Sequence, residues 1–303
     1  MTVDTLRRPA SAGGVARLQA LLWRRPWLRA TLLLGPPLAW FLLIYLAALA
    51  LLLVTAFWQI DPFTTAIVQV WNLDNFRTLV DDPAYRAIIL RTVGLAAAVT
   101  VTDALLAFPF AYFMARVASR RLQTALFAAV LLPLWASYLA RVYAWVLILN
   151  HDGVLNWTLL GLHLPAANIG YSNWAMWIVF SYIWLPFMII PTYAALERIP
   201  SSFLEAASDL GARPGRITWN IIVPLALPGI VAGSIFTFSL TLGDYVTPLL
   251  VGGAGSSFIG NVVYSNVGIA RNIPFAAALA TVPIVVMAAY LLGARRLGAF
   301  EAM

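Results

Sequence analysis

Six long apolar stretches, at about 36–58, 87–115, 124–149, 174–196, 221–243 and 275–294, leave this chain few folds to choose from. Each reaches the roughly 20 residues that an α-helix needs to cross a hydrocarbon core. In lipid every backbone N–H and C=O must be satisfied within the protein, which favours helices for such segments. Only 10% of the residues are charged and 62% are hydrophobic, whereas a soluble domain is about half apolar and a quarter charged. The expected fold class is therefore an all-α integral membrane protein with six transmembrane helices. It divides into a basic N-terminal segment at 1–30, a transmembrane domain at 31–294 and a tail at 295–303. The first span opens at Pro36-Pro37. Prolines inside later spans, such as Pro109, Pro133, Pro186 and Pro228, are tolerated where neighbouring helices satisfy the freed groups.

Arginine sets the orientation. All 19 basic residues are Arg, and 14 of them lie in the N-terminal segment, the 116–123 turn, the 197–220 loop and the tail. The opposite loops and span ends hold Arg77, Arg86, Arg91, Arg141 and Arg271. The positive-inside rule then puts both termini and the 197–220 loop in the cytoplasm. Residues 15–27 have the make-up of an interfacial helix, with Arg for the headgroups and Leu and Trp for the acyl boundary. Ala48-Leu49-Ala50 mimics a signal-peptidase site, but the basic segment is long and the apolar run continues past it. The first span is read as uncleaved.

Several chemistries are excluded. Without Lys there is no Walker A motif, whose Lys reaches the nucleotide phosphates. With no Cys there are no disulfides, thiolate metal sites or Cys nucleophiles. His151 and His163 are too isolated for a metal site, and HExxH and GxSxG patterns are absent. An intramembrane aspartyl protease would use Asp103 and Asp244 as its sharing pair. Its Gly-x-Gly-Asp signature is broken, because Thr241-Leu242-Gly243 precedes Asp244. An ion-coupled carrier would use one of the same acids as proton relay, but the inverted repeats and broken helices of such carriers are not legible here.

Asp103, Arg141 and Asp244 lie in or at the ends of spans, where ionisable groups are costly and are functional candidates by default. Asp103 is mid-span, suited to facing a helix partner or water. Counting at 1.5 Å per residue puts it roughly 24 Å from its outer span end and Arg141 roughly 12 Å from its own, a poor match for a pair. Asp244 lies at a depth closer to that of Arg141. With Tyr245 beside it, its carboxylate suits an amine substrate through charge and cation–π attraction, or an outer-gate ion pair with Arg141. Tyr182 and Trp184, before Pro186, are pathway candidates. Aromatic pairs such as Tyr143 and Trp145 read as interface anchors. Outer segments 59–86, 150–173 and 252–274 read as loops, the first with enough acids and aromatics to receive an external protein.

The long polar break at 205–224 carries Glu205, Ala206, Ala207, Gly211, Ile221 and Pro224. This spacing resembles the EAA loop of ATP-binding-cassette importer permeases, with Val223 where the family usually has Leu. Two Ala residues permit close approach of another surface. Gly211 allows a bend, and Pro214 reinforces the break. The stretches 73–83, 107–116, 140–156, 182–200 and 242–253 further resemble the spermidine/putrescine branch of these permeases, a branch that also serves other small solutes. The resemblance implies the type I importer permease fold in a bacterial inner membrane. It implies that the 197–220 loop holds a coupling helix docking into an ATPase dimer, which alone binds ATP and Mg²⁺, so no cofactor is expected in this chain. It implies a second permease subunit, identical or different, and an extracytoplasmic substrate-binding protein, but no nucleic acid.

Overall fold

The computed structural model describes residues 25–253 and 255–296. Most of the expected interfacial helix at 15–27 and nearly all of the tail lie outside those residues. The first span consists of α1 (Pro26–Trp40), a π-helical turn (Phe41–Leu46) and α2 (Ala47–Thr55). It begins earlier than expected, since Pro36 and Pro37 lie inside α1 rather than opening it. Neither proline can donate to the carbonyls of Leu32 and Leu33. The wide turn a few residues later is the kind of distortion that accompanies a disturbed i→i−4 ladder.

From residue 55 onward the elements run in order. A two-stranded antiparallel hairpin pairs β1 (Gln59–Ile60) with β2 (Ile67–Val68), a small exception to the all-helical expectation. Its turn is tied by Asp61 Oδ1, which accepts from the amides of Phe63 (2.8 Å) and Thr64 (2.9 Å). These bonds hold the Asp61 carboxyl below its usual pKa. Then come α3 (Asp74–Asp81), α4 (Pro83–Arg116), α5 (Arg120–Trp135), α6 (Tyr138–Leu149) and α7 (Val154–Gly161). They are followed by α8 (Asn173–Glu197), α9 (Ser201–Asp209), α10 (Pro214–Ile217) and a second π turn (Thr218–Ile222). The described residues close with α11 (Val223–Gly243), α12 (Val246–Val251), α13 (Ile259–Gly268) and α14 (Ile273–Arg296). The segments expected as plain outer loops at 150–173 and 252–274 thus carry the short helices α7 and α13.

Among the described residues five helices are long and apolar enough to cross a membrane, and a bent pair makes six if it counts as one span. That pair corrects the third predicted span. The stretch 124–149 is not one helix but two, Arg120–Trp135 and Tyr138–Gly161, bent by 94°. Pro133 removes an amide from the last turn of α5. Ala136 and Ser137 then adopt extended ψ values of 144° and 137°, and Ser137 takes the N-cap position of α6. The other boundaries fall close to expectation.

Helices α4, α8 and α11 pack mutually and form the centre of the molecule. Their contact is close because α11 offers Gly229 and Gly233, four residues apart. A Cβ at Gly229 would stand 2.4 Å from Ala195 Cβ and 2.6 Å from Pro191 O, and one at Gly233 3.0 Å from Met188 Cα. Small residues at this spacing let helices approach closely where no hydrophobic effect separates helix from lipid. Interhelical hydrogen bonds add to it: Trp177 Nε1 donates to Thr102 Oγ1 (3.1 Å), and Tyr290 OH to Ser234 Oγ (2.7 Å). Around this centre Val99, Val142, Met176, Val179, Phe180, Ile183 and Phe258 form the largest buried cluster.

Candidate functional site

Two places gather the residues singled out from sequence, one at each end of α11. At its N-terminal end lies the 197–220 loop. Helix α9 ends at Asp209 with Leu210 as its cap, after which Gly211 takes φ +77°, a conformation that costs residues with a Cβ. The amide of Gly211 donates to Ser208 O (2.8 Å) and that of Ala212 to Ala207 O (3.0 Å). This is the Schellman pattern, in which glycine at the first residue past the helix satisfies the last carbonyls. Pro214 opens α10, where its missing amide has no intrahelical partner to lose. The second π turn leads from there into α11, and Pro224 cannot donate to Asn220.

This helix–bend–helix is held by one apolar edge. Leu204 and Ile217 pack against the buried cluster of Ala111, Leu196, Ile199, Ile222 and Ala226. Ile221 is half-buried; Glu205, Ala206, Pro214 and Pro224 are exposed. Of the two alanines, Ala206 faces outward and Ala207 is half-buried, so only the first offers a free approach. Leu210 is 89% exposed and Trp219 72%, unusual for large apolar side chains beside polar neighbours. Sequence reasoning missed Arg116. From the last turn of α4 its Nη2 donates to the carbonyls of Leu196 (2.7 Å) and Ile199 (2.6 Å), fastening the root of the loop to a second helix. An Arg closing a helix at a polar boundary was the available signal, but the positive-inside count absorbed it.

At the opposite end of α11, Asp244 ends that helix and begins α12. Its Oδ1 accepts from the amides of Val246 (2.8 Å) and Thr247 (3.2 Å). Its Oδ2 accepts from Thr247 Oγ1 (3.1 Å) and from the Tyr138 hydroxyl. Four donors therefore surround the carboxylate, an arrangement that favours its ionised form. Beside it opens a cavity of about 440 Å³ whose walls include Tyr138, Trp184, Ser239, Leu240 and Tyr245. Tyr138 stacks on Trp184 with ring centroids 5.8 Å apart, and Tyr245 stacks on Tyr264 at 5.0 Å.

The sequence places Arg141 at a depth near that of Asp244, but no ion pair joins them: among the described residues only Arg77–Asp74 and His151–Asp152 come within ion-pair distance. Tyr138 stands between. The Arg141 guanidinium lies 6.0 Å from the Tyr138 ring centroid, while the phenol on that ring serves Asp244. The Nε and Nη1 atoms of Arg141 are buried without an acceptor. Tyr182 turns away from the Asp244 cavity to meet Trp145 edge-on at 5.3 Å. Trp184 reaches the cavity, with its own Nε1 buried and unpaired. Nothing in the sequence marks Tyr138, since its partners lie 106 and 109 residues away.

Asp103 is fully buried on α4, and neither carboxylate oxygen has a hydrogen-bond partner. Ser181 on α8, its hydroxyl also unpaired, lies close enough to interact. Asp103 lines none of the five cavities described for this chain. Among the described residues no group of three or more His, Asp or Glu side chains is arranged to hold a metal ion.

Residues 107–297 match the family described as binding-protein-dependent transport system inner membrane component. The chain is 47% identical over 316 residues, and over the full length of both proteins, to the inner membrane ABC transporter permease protein YdcU of Escherichia coli K12. It is 34% identical over 228 residues to the spermidine/putrescine transport system permease protein PotB of the same organism, covering 75% of this chain and 82% of PotB. Among solved structures, a chain of the bacterial alginate ABC transporter, in complex with an alginate pentasaccharide-bound periplasmic protein, superposes with a TM-score of 0.74. It does so at 23% identity over 93% of this chain and 97% of that one.

Proposed function

The chain belongs to the family of binding-protein-dependent transport system inner membrane components, and from that premise we propose that its substrate is a polyamine. It is a permease subunit of an ATP-driven importer with the type I fold. In our reading a second permease completes the pathway and an extracytoplasmic binding protein delivers spermidine, putrescine or a close analogue. An ATPase dimer binds ATP and Mg²⁺ and engages the 197–220 loop from the cytoplasm, where both termini also lie.

The observation that carries the substrate class is the Asp244 cavity. The Asp244 carboxyl group sits in its wall among the faces of Tyr138, Trp184 and Tyr245. All four acceptor directions of Asp244 are used, so it attracts an ammonium by charge across a short gap while the rings supply cation–π contact. The similarity to PotB, named for spermidine and putrescine, supports the same class. Another small organic solute is the second reading, favoured by the apolar area of that cavity and by a binding protein that does most of the selecting. An ion-coupled mechanism is not retained, because the family is one of binding-protein-dependent transporters.

The test is uptake of labelled putrescine and spermidine by the reconstituted transporter carrying Asp244→Asn. The amide keeps an oxygen for the Val246 and Thr247 amides, so α12 stays capped. A charge contact near 4 Å at an effective dielectric of 20 is worth up to about 4 kcal/mol, and 1.4 kcal/mol is tenfold. Amine uptake should fall tenfold or more while assembly and binding-protein docking persist. Wild-type uptake by the variant would remove the polyamine assignment of this cavity.

A further inference from the structure

Arg141 is a cation without an acceptor. On α6, inside the bent span, its Nε and Nη1 are buried and without a partner among the described residues, and its guanidinium lies 6.0 Å from the Tyr138 ring centroid. The carboxylate best placed to help, Asp244, is saturated by four donors from its own neighbourhood and from Tyr138. An unpaired guanidinium in a span is expensive, and such groups ordinarily pair with another charge or with backbone carbonyls. No described residue supplies the missing acceptor.

The surroundings say what shape it arrives on. Arg141 borders an open cleft of about 340 Å³ lined by Ala136, Ala140, Ala144, Trp145, Ile148 and Tyr182. Ala140 and Ala144 lie one turn apart on α6, Ala136 lies in the break before that helix, and all three are exposed. The two methyl groups one turn apart on α6 admit the backbone of another helix, as small residues do in membrane packing. The cleft is thus apolar, helix-sized and positively charged at one point.

We propose that this cleft receives a transmembrane helix of the second permease subunit, and that a carboxylate on that helix pairs with Arg141. The proposal rests on the reading of the chain as one of two permeases. It gives Arg141 a role at the subunit interface instead of in a gate pair with Asp244.

The chain has no cysteine, so Ala140→Cys provides a single reactive thiol in the cleft. Labelled with a photoreactive maleimide in the assembled transporter, it should crosslink to the second permease at a helical peptide containing Asp or Glu. Arg141→Glu should lower the amount of second permease recovered with the tagged chain tenfold or more, and Arg141→Lys much less. Changing the crosslinked helix's acid to Arg should restore assembly of Arg141→Glu. Ala140→Trp, which fills the cleft and leaves the charge, should also weaken recovery, and it covers the case in which the charge reversal fails to fold. Crosslinking only to lipid or to the same chain would overturn the proposal. So would normal assembly of Arg141→Glu with altered substrate affinity, which would assign the guanidinium to a substrate anion. If the unaltered chain recovers no second permease at all, the two-permease premise itself fails, a result separable from the others.

Discussion

Asp103 and Asp244 are both acids in an apolar chain, and their surroundings give them opposite roles. Asp244 is surrounded by donors and borders a cavity; Asp103 is sealed among α4, α8 and α11 with Ser181 as its polar companion. We propose that Asp103 serves helix packing. Replacing a buried acid by its neutral isostere removes any charge cost and keeps the volume, so Asp103→Asn should transport within about twofold of the parent. Its melting temperature should be unchanged or higher by up to about 4 °C, the shift expected for 1 kcal/mol in a chain of this size. Uptake assays and thermal unfolding in detergent check this, and a tenfold loss of uptake at equal protein level would put Asp103 on the pathway. At this scale the sequence was partly legible. It singled out the three ionisable groups, because charge in an apolar run is conspicuous. It could not supply Tyr138, an ordinary aromatic in an aromatic-rich span whose importance comes from a hydroxyl reaching across 106 residues to Asp244.

The 197–220 loop was the most legible element, because its geometry is local. Gly211 is required by a left-handed turn three residues from the alanines, and Pro214 starts the next helix, so spacing alone fixes the shape. The bent third span was the least legible. Hydropathy over 124–149 is continuous and carries no information about direction, and Pro133 has the same appearance as the prolines that α8 and α11 accommodate without breaking. What breaks this span is the extended pair Ala136–Ser137, which composition does not mark. The loop yields the clearest mutational expectation. Gly211→Val forces a β-branched residue to φ +77°, at a cost of about 1–2 kcal/mol or more. Ala206→Trp blocks the outward face beside Leu210 and leaves the inner edge of Leu204 and Ile217 in place. Both variants should insert in the membrane at parental levels. Both should lose most substrate-stimulated ATP hydrolysis and uptake by the assembled transporter. Normal uptake by both would remove this loop from coupling.

The molecule as a whole divides its labour with chains it does not contain. It has 19 Arg and no Lys, so no phosphate loop of the Walker type exists anywhere in it. What it offers at one end of α11 is an exposed helix with Leu210 and Trp219 uncovered, anchored to the bundle by Leu204, Ile217 and the Arg116 bonds. At the other end of α11 it offers a cavity with Asp244 in its wall. Between the two ends α11 packs on α8 through Gly229 and Gly233, whose close contacts leave little room for independent sliding. Energy should therefore enter only through the exposed loop. The purified chain alone should hydrolyse no ATP at any Mg²⁺ concentration. Hydrolysis should appear when the ATPase and second permease are added, and in a lipid bilayer it should rise several-fold when substrate-loaded binding protein is supplied. A phosphate-release assay across these additions measures each step. Hydrolysis that survives removal of every partner would place a nucleotide site in this chain, against the whole division of roles argued from its sequence and fold.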